Sequence, residues 1–191
     1  NWVICNIVSL GPATIAKCAD AMGILSHDPY DTTPGKIHLL IDPPNAMDIV
    51  RLGGASMEGT ISHSSMASFT TEPDNPTIKL IEQYMTAKGK KPEERVWTCP
   101  LSWAMCHTIL DCVEKGVARV GWKNMDGGVI KEEMLKLKDY DAWKICKYTF
   151  TEDIRSPRAT RISVVRNGKI EYLTGEWVQT PDLRPYELRG K

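Results

Sequence analysis

Two short stretches carry residue types that can grip a small polar solute. Val8, Ser9 and Leu10 follow an apolar, β-rich run, Val3 to Val8, and lead to Pro12. A proline suits the first turn of a helix, where its missing N–H costs nothing. Backbone N–H groups at such a helix start carry partial positive charge and can hold an anion. The plainer alternative is an ordinary strand-to-helix turn. Asp42 ends a second β-rich run, Ile37 to Ile41. A carboxylate there can pair with a cationic group, since a half-buried charge persists only when paired. Its alternative role is to cap the Pro43-Pro44 turn or the short helix starting at Ala46. Asn45 adds a donor and an acceptor to the same rim. Trp97, Trp103, Trp122, Trp143 and Trp177 offer flat apolar faces, most of which packing explains. Trp103, early in the longest helical pattern, is the candidate wall for an aromatic solute.

Signatures of covalent chemistry are absent from the 191 residues. There is no Gly-x-Ser-x-Gly elbow, P-loop, Gly-x-Gly-x-x-Gly or His-Glu-x-x-His. His27, His38, His63 and His107 are scattered. His38 and His63 fall within strands, so an enzyme alternative would use Asp42 with one of them. Six cysteines, at 5, 18, 99, 106, 112 and 146, show no Cys-x-x-Cys or paired-histidine spacing. They are expected to be reduced and mostly buried, acting as small hydrophobes. No catalytic residue, metal or cofactor is expected. Lys+Arg and Asp+Glu both count 24, so the chain lacks the excess positive charge on which nucleic-acid binding rests. No run of roughly 18 apolar residues exists to cross a membrane. Asn1-Trp2-Val3-Ile4-Cys5 reads as a strand in progress rather than a signal peptide.

The elements that must position these residues alternate. After the first strand, Ile15, Cys18, Ala19 and Met22 recur at helical spacing up to Gly23. Ile37 to Ile41 is a strand, Ala46 to Leu52 a short helix, Glu58 to Ser64 a third strand. A helix around Ile78, Ile81, Tyr84 and Met85 ends at Lys88-Gly89. Trp97 to Lys115 is the longest helix, with Met105, Ile109, Cys112 and Val113 on one stripe; Gly116 to Trp122 is a connection. Asp126-Gly127-Gly128 opens a helix through Leu137. Such alternation predicts an α/β fold with a Rossmann-like parallel sheet. The end differs: two apolar-alternating strands flank Asn167-Gly168, the strongest short hairpin signal.

Several segments resemble, in their order, the second half of type I periplasmic solute-binding proteins, the branched-chain amino-acid and amide receptor group. These are Pro12 to Gly23, Gly53-Gly54-Ala55-Ser56-Met57-Glu58-Gly59, Pro73-Asp74-Asn75-Pro76 with Ile81-Glu82-Gln83-Tyr84, Gly89-Lys-Lys-Pro92, Asp153-Ile154-Arg155 and the closing Glu176-Trp177-Val-Gln-Thr-Pro181. The resemblance implies lobes of Rossmann-like sheet with a C-terminal hairpin. Residues 1–95 would be the C-terminal part of ligand-binding lobe 2, and 96–191 a crossover helix with segments shared between the lobes. It implies no enzyme but the extracytoplasmic receptor of an ABC transporter, periplasmic or extracellular. Such a receptor closes two lobes on a small amino acid or an organic or aromatic acid. Asp42 would meet the ligand's ammonium group, although Val8 stands where amino-acid receptors keep a tyrosine. The group is about twice this length, and its first half carries the serine and threonine clamp for a ligand carboxylate. The implied partners are therefore a small-molecule ligand, a transporter permease, and a missing N-terminal half or a second copy. A ligand-sensing regulatory domain of the same fold is the other alternative.

Overall fold

The computed structural model describes residues 1–6, 10–41, 47–96, 98–152 and 159–179. Val8, Ser9, Asp42, Asn45, Trp97, Asp153-Ile154-Arg155 and Pro181 lie outside them.

Three short parallel strands open the fold: β1 (Trp2–Cys5), β2 (His38–Ile41) and β3 (Ile61–Ser64), separated by α1 (Leu10–Ala21) and α2 (Met47–Gly53). Then come α3 (Pro76–Ala87), α4 (Thr98–Val120) and α5 (Gly127–Leu135). A small antiparallel hairpin follows, β4 (Tyr140–Ala142) and β5 (Cys146–Tyr148). The chain returns to the main sheet as β6 (Ala159–Arg166) and β7 (Lys169–Tyr172), with β8 (Val178–Gln179) alongside β6. The sheet order is β1-β2-β3-β6-β7, parallel over its first three strands and antiparallel from β3 to β6 onward. Asn167 and Gly168 both take positive φ, 50° and 68°, and close the expected two-residue hairpin turn.

Two hydrophobic cores result. The first packs α1 and α2 on the sheet around Leu39, Ile41, Ile49, Val50 and Val165. Each large aliphatic residue buried there contributes about 1.5–3 kcal/mol. The second gathers Met66, Ala67, Ile78, Ala104, Ile145 and Tyr148, from the segment after β3, α3, α4 and the β4–β5 hairpin. Ser64 ends β3 in the main sheet, which carries the first core; Met66 already belongs to the second.

The helices lie where their periodicity put them, but turned differently. In α1 the buried stripe is Pro12, Ala13, Ala16 and Ala19, while Cys18 and Met22 are exposed. In α4 it is Pro100, Ala104, Thr108, Cys112 and Gly116, spaced by four, while Met105 and Ile109 face outward. Small side chains let a helix sit close to its support. The expected break at Gly116 is also corrected, since α4 runs on to Val120. A Cβ on Gly116 would meet Met125 Sδ and Val129 Cγ1 at 2.9 Å, so the glycine serves close approach to α5. All six cysteines are free, as expected, but only Cys5, Cys112 and Cys146 are buried.

The β4–β5 hairpin was not foreseen. Its turn places Trp143 and Lys144 at φ 56° and 58°, a conformation bulky L-residues rarely take. Two hydrogen bonds from the start of α3 hold it there. Asn75 Nδ2 donates to the Lys144 carbonyl (2.7 Å) and Thr77 Oγ1 to the Trp143 carbonyl (2.6 Å). Asn75 also caps α3, accepting from the Thr77 and Ile78 N–H groups.

Candidate functional site

Parallel registers align the C-terminal ends of β1, β2 and β3, at Cys5, Ile41 and Ser64, on one edge of the sheet. Open α/β sheets take ligands beyond that edge. Of the loops that follow, the one from Ser65 to Asn75 is described. Ser64 Oγ donates to the Met66 carbonyl (2.7 Å), and the Ala67 N–H donates to the Ile145 carbonyl (2.7 Å). Those bonds lead the chain from one core into the other.

At this junction Arg161 of β6 donates through Nη1 to Glu72 Oε1 (3.2 Å). Its guanidinium carbon lies 4.6 Å from the ring centres of both Tyr172 and Trp177. Burial pushes the Tyr172 phenol above its ordinary range, so its hydroxyl stays protonated. It donates to Glu72 Oε1 (2.9 Å) and lies 3.1 Å from Thr71 Oγ1.

Beside this cluster opens a cleft of about 590 Å³, within the range of small-molecule sites. Glu72, Asn75, Asp139, Asp141, Lys144 and Lys147 contribute to its walls, with Trp177 and Gln179 from the C-terminal segment. Carboxylates and ammonium groups thus share the walls with one indole ring, a composition that can meet both ends of a zwitterion. Cys146 also lines the cleft, but burial pushes its thiol up to about 11, so it stays neutral near pH 7.

Trp103, the described member of the expected site, does not line this cleft. It sits on α4 in an aromatic cluster, 6.1 Å from Trp143, 6.4 Å from Tyr84 and 5.1 Å from His107; the His107 ring stacks on Trp143 at 4.1 Å. His38 and His63 do not converge. The β2–β3 register sets them about four residues apart, roughly 13 Å along the strands. That exceeds the reach for acid–base work shared by the two histidines; the pairing of either with Asp42 lies outside the described residues. His38 packs on Trp2 (4.8 Å), whereas His63 faces Thr160. Sequence reasoning missed Glu72, Asp139, Asp141, Lys144 and Lys147. The alternation of Tyr140 to Ala142 and Cys146 to Tyr148 was a faint signal, without turn residues to support it.

The architecture has solved counterparts. A branched-chain amino-acid ABC transporter protein from Thermus thermophilus, solved with bound valine, superposes at TM-score 0.78 over 98% of this chain, with 16% identity. This chain has the type I periplasmic binding fold. Two other examples share that fold. The leucine-binding protein LivK from Thermotoga maritima matches at TM-score 0.56 over 90% of the chain, with 22% identity. A protein described as an ABC transporter permease, from the Pseudomonas fluorescens group, matches at 0.68 over 99%, with 15% identity. The chain spans about half of each, 48%, 42% and 46% respectively. No family model and no curated protein matches it.

Proposed function

We propose that the chain is the trailing part of an extracytoplasmic solute-binding component of an ABC transporter, acting in the periplasm or outside the cell. It grips a small amino acid, or an organic or aromatic acid, between two lobes and does not transform it. The observation that carries this reading is the pair of cores meeting at Ser64–Met66 beside a cleft, in a type I binding fold. Residues 1–64 with β6 and β7 are read as one lobe and 65–152 as part of the other. This reading moves the proposed boundary from near residue 95 to the end of β3; the packing of Ile78 of α3 in the second core supports it. Val8 and Ser9 are read as carboxylate-facing N–H groups, Asp42 as the ammonium partner, Asn45 as a rim contact and Trp103 as a wall for an aromatic solute.

Closure follows from differential affinity: a solute touching both lobes stabilises the state in which both reach it. The partners in this reading are the solute, a permease and the remaining half of a two-lobed body. Uncovered apolar surface supports the last. Trp2 and Ile4 on β1 are 52% and 69% exposed, and Met105 and Ile109 on α4 are 48% and 44% exposed. Thermal unfolding of the full-length protein with a panel of amino acids, carboxylates and aromatic acids tests the reading. A binder at about 100 times its Kd adds about 2.7 kcal/mol and raises the midpoint by several degrees. Asp42→Asn should abolish the rise for amino acids. If no member of the panel moves the midpoint, solute capture is wrong.

A further inference from the structure

We propose that Arg161 and Glu72 form a latch that fixes the angle between the two cores. The proposal rests on reading those cores as parts of lobes that move. Arg161 belongs to β6 and pairs in register with Ser64, the last residue of β3, so it stands at the sheet edge where the chain leaves the first core. Glu72 travels with the second. Its N–H donates to the Ser68 carbonyl (3.1 Å) and its carbonyl accepts from the Asn75 N–H (3.0 Å). Asn75 in turn caps α3 and holds the β4–β5 turn. The Arg161–Glu72 bond therefore joins groups anchored in different bodies.

Two side chains of the first body, from β6 and β7, converge on that one carboxylate. Arg161 and Tyr172 both donate to Glu72 Oε1, and the rings of Tyr172 and Trp177 both lie against the guanidinium. Contact with two aromatic rings restricts the guanidinium, so the pair is aimed before it forms. The latch is also reachable. The Arg161 and Glu72 side chains keep 22% and 28% of their surface exposed, and Glu72 and Trp177 line the cleft. Water can replace the bond when the cores part.

Native thiols supply the test. Cys18 on α1 and Cys106 on α4 are exposed, one on each core. Nitroxide labels there, in full-length protein with Cys99→Ser and any other reactive thiol removed, report the inter-core distance by pulsed electron resonance without any solute. Glu72→Gln and Arg161→Gln should each widen the distance distribution about two-fold or more. Tyr172→Phe should widen it less, and Arg161→Lys, which keeps charge but not the planar guanidinium, should lie between. Superimposable distributions for wild type and Glu72→Gln overturn the latch. Should Glu72→Gln lose its far-ultraviolet circular dichroism, the comparison passes to Tyr172→Phe, where an unchanged distribution overturns it equally. Solute binding is read separately. Wider distributions with no thermal shift from any solute keep the latch and remove the transport reading; a normal thermal shift with unchanged distances removes the latch alone.

Discussion

Gly59 fixes where β3 begins, and its replacement by alanine separates two kinds of cost. Its φ is +75°, and a Cβ built there would lie 2.3 Å from both the carbonyl carbon and oxygen of His27. Those are backbone atoms, which no rotamer change can move aside. The positive φ alone costs alanine about 1 kcal/mol. Forcing the two segments apart by about 1 Å adds a further ~1–3 kcal/mol, in the manner of overpacking. Gly59→Ala should therefore lose about 2–4 kcal/mol, a large share of the ~5–15 kcal/mol that holds an ordinary domain. Gly89→Ala is the internal control. Its φ is +73°, nearly the same, yet no atom lies within 4 Å of its built Cβ. It should lose about 1 kcal/mol or less. Any gain from restricting the unfolded chain is common to both variants. Urea midpoints at constant m measure the difference. The Gly59 N–H donates to the Val165 carbonyl (3.0 Å), so a displaced Gly59 also disturbs the β3–β6 seam. Equal losses for the two variants, within about 0.5 kcal/mol, would refute the close-approach argument.

Four further outcomes are expected. Asn75→Ala removes both a helix cap and the donor to Lys144, so it should cost about 2 kcal/mol in urea unfolding, while Asn75→Asp keeps the cap and should recover about half. The Lys136 and Arg119 hydrogen bonds hold the Glu133 carboxyl below its ordinary value, against an opposing push from burial. A lowered folded-state value stabilises the fold above the ordinary carboxylate range, and that contribution fades as pH falls through the lowered value. Glu133→Gln should thus be less stable than wild type at pH 7, and the two stability–pH curves should converge on acidification; parallel curves would show that the carboxyl does not titrate this way. Iodoacetamide at pH 8 should modify Cys18 and Cys106 first and reach Cys5, Cys112 and Cys146, whose thiols burial pushes up, only on unfolding, as mass spectrometry of digests will read. Ile109→Lys in the full-length protein should cost well over 1 kcal/mol, because the outward face of α4 is read as covered there; a change within about 0.5 kcal/mol, normal for an exposed site, would mean that it stays bare.

Element types were largely legible in the sequence because each long segment declares its period. Alternating Ile162 and Val164, then Ile170 and Tyr172, around Asn167-Gly168 left no other reading for β6 and β7. Orientation was not legible. Met105 and Ile109 look like a core stripe, yet the buried residues of α4 are the small ones beside them. Hydrophobicity identifies a stripe that must be covered, not the partner that covers it. The β4–β5 hairpin escaped because its strands have three residues each and its turn is Trp143-Lys144, held in place by Asn75 and Thr77 from another element. The junction escaped for the same reason. Arg161 and Glu72 are 89 residues apart and meet only because β6 returns beside β3. Periodicity is local, and a contact set by topology has no local trace.

The same reasoning explains why the large apolar residues face outward. A two-stranded hairpin of three-residue strands is too small to support two long helices. Among the described residues, α3 and α4 lie in the second core on little more than that hairpin, α5 and the segment from Met66 to Phe69. Their close seat uses the small stripe, from Pro100 to Gly116, and leaves Met105 and Ile109 facing away. On the first core, α1 and α2 cover one face of the sheet, while Trp2 and Ile4 project from the other at the β1 edge. Both bodies are therefore packed on one side and apolar on the other. A sheet or helix needs both of its apolar faces covered to gain from burying them. Solved proteins of this fold are about twice as long as the chain, which supplies polypeptide enough for a second layer on each body. Uncovered faces on both bodies are what the proposed two-lobed reading requires, since each lobe is then completed separately while the crossings between them stay free.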